Sequence, residues 1–403
     1  MNGRALPLAG RQIAVGITGS IAAYKAADLV SKLRQAGAEV EVVMSPAAVQ
    51  FIAPLTLQSL SGRAVVVDMF AAAEAEAHVE VARRADALVI APATADCLAN
   101  LAHGQAPDMV TLTALATAAP VVVAPAMDHQ MWEHPATRAN VAALRERGVV
   151  FAGPESGRLA TGRTGMGRLA EPPVIIATLL MALGARDGDL RGRHVVVSAG
   201  GTQEPIDPVR YVGNRSSGKM GFAIAEAARD RGARVTLVTG PVALTTPPGV
   251  ERVDVRTVQE MLAALKQATV MSDAIVMAAA PADFRPGDPA AQKLKKAPGQ
   301  ETLTLTLVKN PDIIATLPGG GVRVGFAAET ENLRENAIAK IAAKRLDFIV
   351  ANDVTAAGSG FGTDTNQVTF FHADGRVEEL PLLPKYAVAH AILDRVADRL
   401  PRD

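Results

Sequence analysis

The tract Asn214-Arg215-Ser216-Ser217-Gly218-Lys219-Met220-Gly221, preceded by Gly200-Gly201-Thr202-Gln203-Glu204-Pro205-Ile206-Asp207, places a carboxamide, two hydroxyls and a lysine beside two glycine turns. Such donors suit phosphate and carboxylate groups, and exposed amides at a helix start strengthen the hold on an anion. A second tract, Gly16-Ile17-Thr18-Gly19-Ser20-Ile21-Ala22, offers hydroxyls and N–H groups to one phosphate. Ala91-Pro92-Ala93-Thr94-Ala95-Asp96 and Pro125-Ala126-Met127-Asp128 would line the same crevice if each ends a neighbouring strand. Taken singly, these are also ordinary strand-to-helix turns. The Gly-x-Gly-x-x-Gly spacing of dinucleotide folds is absent, so a standard NAD site is not expected and a mononucleotide fits better.

The elements that must position these tracts follow from the apolar pattern. His194–Ser198 reads as a buried strand and the Ala-rich run after Gly221 as a helix. The first half alternates apolar runs (Ile13–Ile17, Val40–Met44, Ala87–Ala91, Val121–Ala124) with helical stretches such as Ala22–Ala36, a parallel α/β pattern. The second half repeats it with Val235–Thr239, Ala274–Ala278, Val322–Gly325 and Phe348–Ala351. The polar segment Gly184–Arg193 is the boundary between them. The expected fold is α/β, two doubly wound Rossmann-like domains over 1–188 and 189–403, with ligands outside the carboxyl ends of the strands.

Composition narrows the function classes. The 403 residues are 49% hydrophobic, ample for two cores. Lys plus Arg equals Asp plus Glu at 41 each, giving no net field for nucleic acid or an anionic membrane, so small-molecule partners are expected. The single cysteine, Cys97, excludes an intrachain disulfide framework and a multi-cysteine metal site, and its Ala/Leu context reads as a small buried hydrophobe. Met1–Arg11 lacks the apolar core of a signal peptide, and no apolar run approaches the ~20 residues that span a bilayer; the expected location is cytoplasmic.

Through Gly16–Lys25, His78–Asp96 and Pro125–Trp132, the region from about 12 to 172 resembles the homo-oligomeric flavin-containing cysteine decarboxylases. The resemblance implies FMN, contacted at Gly16, Thr18, Gly19, Ser20, Ile21, Ser45, Pro92, Ala93, Thr94, Asp96 and Met127, and a catalytic role for His78. Histidine can exchange a proton near neutral pH; a lone histidine after an Ala/Glu-rich stretch is otherwise a solvated helix residue. A β-thiol carboxylate has no electron sink next to its carbanion. Flavin supplies one, by oxidising the thiol so that the acid resembles a β-keto acid and by reducing the enethiol afterwards. Two positions depart from the family. Asp128 stands where Asn commonly contacts the substrate carboxylate, and Thr161, in the substrate loop Gly157–Leu169 with Arg168, stands where many members carry a proton-donating cysteine. These departures leave open a chain whose first half binds flavin and assembles the oligomer without decarboxylating. A flavin prenyltransferase shares the Gly-x-Thr-Gly-Ser opening but accounts for neither His78 nor the second half.

From about 191 to 403 the chain resembles phosphopantothenate–cysteine ligases. The residues are the opening tract with Ala278–Phe284, Gln292–Lys296, Lys309–Ile314, Gly325–Thr330 and Ala351–Asp353. The two halves in this order resemble the bifunctional coenzyme A biosynthesis flavoproteins. That implies condensation of phosphopantothenate with L-cysteine through an acyl-cytidylate made from CTP with Mg2+ or another divalent cation, followed by decarboxylation to phosphopantetheine. Asn214 is implied in the acyl-cytidylate step and Lys293 in CTP binding and turnover. Ser216, Ser217, Lys219, Ala278 and Ala279 are implied in substrate binding. Asp283, also a candidate for the metal, matches nucleotide contacts together with Pro311, Asp312, Ile313, Ile314, Phe326, Lys340 and Lys344. By charge alone, Lys293, Lys295 and Lys296 form a solvated cluster. Lys340 and Lys344, one turn apart on one face, either flank an anion or are solvated. The family further implies trimeric decarboxylase and dimeric ligase units, which could combine into a homo-oligomeric dodecamer.

Overall fold

The computed structural model describes residues 6–70, 76–295, 301–318, 320–328, 333–352, 360 and 362–401. Lys296, Glu329, Thr330 and Asp353, parts of the motifs quoted above, lie outside these residues. The chain divides into two compact units, Met1–Asp187 and Gly188–Asp403.

In the first unit six parallel strands lie in the order Val65–Val66, Glu39–Met44, Gln12–Ile17, Ala87–Ala93, Val121–Pro125, Val150–Phe151. Successive residues of one strand serve opposite faces, which is why these strands read as unbroken apolar runs. Ile13, Val15 and Ile17 pack with Leu29, Val30 and Leu33 of the helix Lys25–Gln35 and with Ile175 and Leu179 of Pro172–Asp187. Ala14, Leu88 and Ile90 pack on the other side with Leu98, Met109, Val110 and Val141. Each buried Leu or Ile contributes about 1.5–3 kcal/mol. The strand order reverses between Gln12–Ile17 and Ala87–Ala93, which opens a crevice beyond their carboxyl ends. Beside it stands an antiparallel hairpin, Glu155–Arg158 with Thr164–Arg168.

The second unit holds an eight-stranded sheet in the order Glu251–Asp254, Arg234–Thr239, His194–Ala199, Ala274–Met277, Val322–Ala328, Phe348–Asn352, Val368–His372, Val377–Glu379. The first six are parallel, and the last two join antiparallel. Val195 and Val197 face one core with Ile224, Ala228, Val388 and Ile392, while Val196 faces another with Met261, Leu265 and Ile314. The helix Lys219–Asp230 lies close against His194–Ala199 because Gly221 leaves room: a Cβ there would sit 2.6 Å from Ala199 Cβ and 2.8 Å from the Ser198 carbonyl oxygen. The order again reverses, between His194–Ala199 and Ala274–Met277. Gly184 lies within the helix Pro172–Asp187 rather than in a linker, since its buried face continues to pack.

Candidate active sites

In the first unit the segments leaving the two central strands are tied together by Thr18. Its buried hydroxyl donates to the Pro92 carbonyl at 2.7 Å and accepts the Thr94 amide at 3.1 Å. Both roles of that hydroxyl are therefore spent on shaping the crevice. The crevice is a cavity of about 810 Å³, walled by Gly19, Ser20, Ile21, Ala22, Thr94, Met127, Asp128, Met131, Leu159, Thr161, Gly167, Arg168 and Leu169, with Tyr24, Lys25 and Arg158. Ser20 Oγ accepts the Ala22 amide at 3.2 Å and Thr94 Oγ1 the Cys97 amide at 3.2 Å, each capping a helical turn while keeping an O–H to donate. Apolar walls with a few convergent hydroxyls and cations suit a flat ring carrying a phosphate.

Other expected residues lie outside these walls. Gly16 is within its strand, where a Cβ would meet Val110 Cγ1 at 2.7 Å. Ser45 is buried, its Oγ accepting the Ala48 amide at 3.2 Å. Pro92 and Ala93 end a buried strand, and the Asp96 carboxylate accepts from Asn100 Nδ2 at 3.2 Å. His78 stands in the first turn of the helix Ala77–Arg84, half-buried, its Nδ1 buried without a hydrogen-bond partner. Cys97 is buried in the core, where burial pushes its thiol pKa far up and leaves it no acid role.

The hairpin wraps the Met127–His129 segment. The Met127 amide donates to the Gly167 carbonyl at 3.0 Å, and Gly167 has φ +137°, with space for a Cβ closed by Met127 O at 2.2 Å. Thr161, near the hairpin's turn, reaches Asp128. Lys25 and Arg168 enter the cavity wall together because Glu171 binds both, Lys25 at 3.2 Å; the Lys25 hydrogen bond holds that carboxyl below its usual range. Neither Lys25 nor Glu171 was assigned from the sequence, although Lys25 closes the Gly16–Lys25 motif one helical turn past Ile21.

In the second unit a cavity of about 270 Å³ gathers Asn214, Ser216, Ser217, Lys219, Ala278, Ala279, Asp283, Phe326 and Lys340. A smaller one of about 110 Å³ shares Ala279, Phe326 and Lys340 with it and adds Asp312, Ile313, Ile314 and Lys344. The Ala278–Ala282 segment is sewn to the first turn: Ala279 N donates to Ser198 Oγ at 3.1 Å, Ala280 N to Gly200 O at 2.8 Å and Ala282 N to Thr202 Oγ1 at 2.9 Å. Asn214 Nδ2 donates to Pro281 O at 3.0 Å and Ala280 O at 3.4 Å. Ser216 Oγ and Ser217 Oγ accept the Gly218 and Lys219 amides at 3.4 and 3.5 Å, opening the helix.

Lysines here are held by protein oxygens. Lys344 Nζ lies 2.9 Å from Asp312 Oδ2, while Asp312 Oδ1 caps the short helix Ile313–Thr316 through Ala315 N at 3.2 Å. Lys219 Nζ donates to Asp364 at 2.7 Å and Gly362 O at 2.9 Å, and its hydrogen bond lowers the Asp364 pKa. Lys385, unforeseen in the sequence, is buried in the same cavity wall and donates to the Thr363, Thr365 and Gly360 carbonyls at 2.6, 2.9 and 3.1 Å; burial lowers its pKa. Asn310, quoted within the Lys309–Ile314 motif but given no role there, joins the Asp283 and Asp312 turns: its Nδ2 donates to Ala282 O and its amide to Asp283 O, at 2.9 and 2.8 Å. Pro311 is exposed beside it. Lys293 is exposed on a loop outside both cavities.

The sequence profile of the family described as Flavoprotein matches residues 5–184, and that of the DNA/pantothenate metabolism flavoprotein C-terminal domain matches 190–400. The coenzyme A biosynthesis bifunctional protein CoaBC of Vibrio parahaemolyticus is 45% identical over 397 residues, covering 97% of this chain and 99% of its own. That of Escherichia coli is 45% identical over 401 residues, covering 98% of each. A crystal structure of the C-terminal domain of a CoaBC protein is 39% identical with a TM-score of 0.45, covering 52% of this chain and 97% of that one.

Proposed function

This chain belongs to the bifunctional coenzyme A biosynthesis flavoproteins, and from that membership we propose a division of labour: the second unit ligates phosphopantothenate to cysteine with CTP, and the first decarboxylates the phosphopantothenoylcysteine with FMN. The observation that carries this reading is the full-length similarity at 45% identity, laid over two separate cavities that each open where a sheet's strand order reverses. The similarity spans both halves, which favours two activities over a first unit that only assembles an oligomer.

In the ligase, the pantothenate carboxylate attacks the α-phosphorus of CTP and releases pyrophosphate; the cysteine amine then displaces cytidylate. Lys340 and Lys344 face the nucleotide side of the joined cavities and neutralise phosphate charge, with Asp312, Ile313, Ile314 and Phe326 shaping that side; Pro311 is exposed just before them and outside the cavity walls. Ser216, Ser217, Lys219, Ala278 and Ala279 border the acid. Asn214 holds the acyl oxygen and Lys293 serves nucleotide binding and turnover. The described residues contain no group of three or more His, Cys, Asp or Glu arranged for a metal. A single carboxylate, Asp283, with the triphosphate's own oxygens suits Mg2+, which keeps most of its waters and few protein ligands.

In the first unit the donor set fits FMN: Ser20 and Thr94 offer hydroxyls at helical turns, and Ile21, Met127, Met131 and Leu169 offer apolar walls. Bound FMN supplies the electron sink that the substrate lacks. Lys25, Arg158 and Arg168 attract the anionic substrate and offset the charge of Asp128. His78 takes the acid–base role that the family gives a histidine in this segment. No helix among the described residues is long and apolar enough to cross a membrane, and a cytoplasmic enzyme of trimeric decarboxylase and dimeric ligase units accords with the family.

The test is to mix the full-length protein with phosphopantothenate, cysteine, CTP and magnesium, follow pyrophosphate and carbon dioxide, and identify the flavin by mass spectrometry. One carbon dioxide per pyrophosphate with FMN is expected. Pyrophosphate without carbon dioxide would reinstate the scaffold reading of the first unit.

A further inference from the structure

One hairpin joins the two segments on which the ligase reading depends. Its strands, Gln203–Pro205 and Tyr211–Gly213, pair antiparallel, and Asn214 follows directly. At its tip Asp207 is buried, with both carboxylate oxygens accepting hydrogen bonds. Oδ1 accepts the Val209 and Arg210 amides, each at 2.8 Å. Oδ2 accepts Arg210 Nε at 2.9 Å and the Leu294 amide at 3.1 Å. Arg210 Nη2 then returns to the same residue, donating to the Leu294 carbonyl at 3.0 Å. Ala290 N adds a bond to Ile206 O at 2.9 Å.

The backbone from 290 to 294 is thus bonded to the hairpin tip at three points, and exposed Lys293 lies inside the bonded span. An exposed loop would otherwise have to be ordered each time its lysine is used, at a cost in conformational entropy. The Arg210 side chain holds the Asp207 carboxyl well below the usual range, against the effect of burial, so the acceptor is present throughout the physiological pH range.

We infer that Asp207 is a positioning residue of the ligase: through the Leu294 peptide it holds the Lys293 loop to the hairpin that carries Asn214. The inference rests on the proposed part of Lys293 in nucleotide turnover. Both bonds to Leu294 use its backbone, so the side chain at 294 is left unspecified while the residue at 207 is not.

The test is a double-mutant cycle in the full-length protein. Asp207→Asn keeps Oδ1 for the turn amides but turns an amino group toward Leu294 N–H and Arg210. It should lower ligase kcat about tenfold in the native background and have little effect once Lys293→Gln is present, the non-additivity of residues acting through one another. Hydrogen exchange in the peptide spanning Ala290–Lys295 should speed up. Equal losses in both backgrounds, or unchanged exchange, would overturn the inference, because a structural contribution to the unit would act regardless of Lys293. If Lys293→Gln alone turns over normally, the reading of Lys293 fails instead, and the exchange rates still decide whether Asp207 holds the loop.

Discussion

The Thr161 hydroxyl donates to Asp128 Oδ2 at 3.2 Å, while Asp128 Oδ1 caps the helix His129–Glu133 by accepting the Gln130 amide at 3.0 Å. The two positions at which the sequence departs from the decarboxylase pattern are therefore partners. A hydroxyl bonded to a carboxylate is a poorer acid still, so in the proposed reaction the enethiol takes its proton from water or another group on the hairpin. Thr161→Ala should keep decarboxylation within about threefold of the native rate, since an exposed hydrogen bond to a charge contributes modestly. Oxidised enethiol trapped in the variant and not in the native enzyme would make Thr161 the donor.

Asp128→Asn preserves both the helix cap and an acceptor for Thr161, because asparagine caps as well as aspartate. What it removes is a negative charge in the cavity wall proposed to receive the substrate carboxylate. Like charges near a protein surface repel by about 1 kcal/mol or more, so KM for phosphopantothenoylcysteine should drop about fivefold. Steady-state kinetics decide it: a higher KM would mean that Asp128 accepts a hydrogen bond from the substrate.

For His78→Asn, decarboxylation should fall by about 10²–10⁴-fold, the usual share of general acid–base catalysis. Flavin absorbance and ligase turnover should remain, since the histidine lies outside the cavity walls and in the first unit. Loss of flavin together with activity would make His78 a structural residue.

Asn214→Asp places a carboxylate against the Ala280 and Pro281 carbonyls that now accept from the carboxamide. It also removes the N–H that, released from one of these carbonyls, is proposed to donate to the acyl oxygen. Acyl-cytidylate should accumulate as overall ligation slows about 10²–10³-fold, as when an oxyanion donor is lost. Quenched-flow detection of the intermediate is the measurement, and near-normal turnover would take Asn214 out of the mechanism.

Burial pushes the Asp230 carboxyl up to about 6, against the pull of Arg229 and the 2.7 Å hydrogen bond from Tyr386. A carboxyl that binds its proton more tightly folded than unfolded adds stability that is full below its unfolded value of about 3.9 and lost as pH rises through its folded value. Asp230→Asn, which keeps an oxygen for Arg229, should therefore gain stability relative to the native protein as pH is raised from about 4.5 to 7.5. Urea unfolding across that range tests it, and a constant difference would place the folded pKa near the unfolded one.

Much of the fold was legible because doubly covered parallel strands read as continuous apolar runs. Ile13–Ile17 and Phe348–Ala351 differ from the observed strands by one residue at an end. The two-residue strands Val65–Val66 and Val150–Phe151 are too short to show a pattern, and the hairpin Glu155–Arg158 with Thr164–Arg168 has glycine and charge where alternation would be. The antiparallel edge, Val368–His372 with Val377–Glu379, was not anticipated. At the sites, strand ends announced the backbone that borders the cavities. Lys385 was hidden because it comes from far along the chain to serve a cavity opened by Asn214, and the part of Asn310, a residue of a quoted motif, in fixing Asp283 needed the fold to be seen.

The Lys344–Asp312 pair bears on how a polyphosphate arrives. Lys344 already has a counter-anion supplied by its own chain, so seating a phosphate there is an exchange of partners and not a capture by bare charge. Nucleotide affinity should then fall less steeply with added salt than two solvated lysines would dictate, because an internal carboxylate, unlike a diffusing anion, stays at one concentration as ionic strength changes.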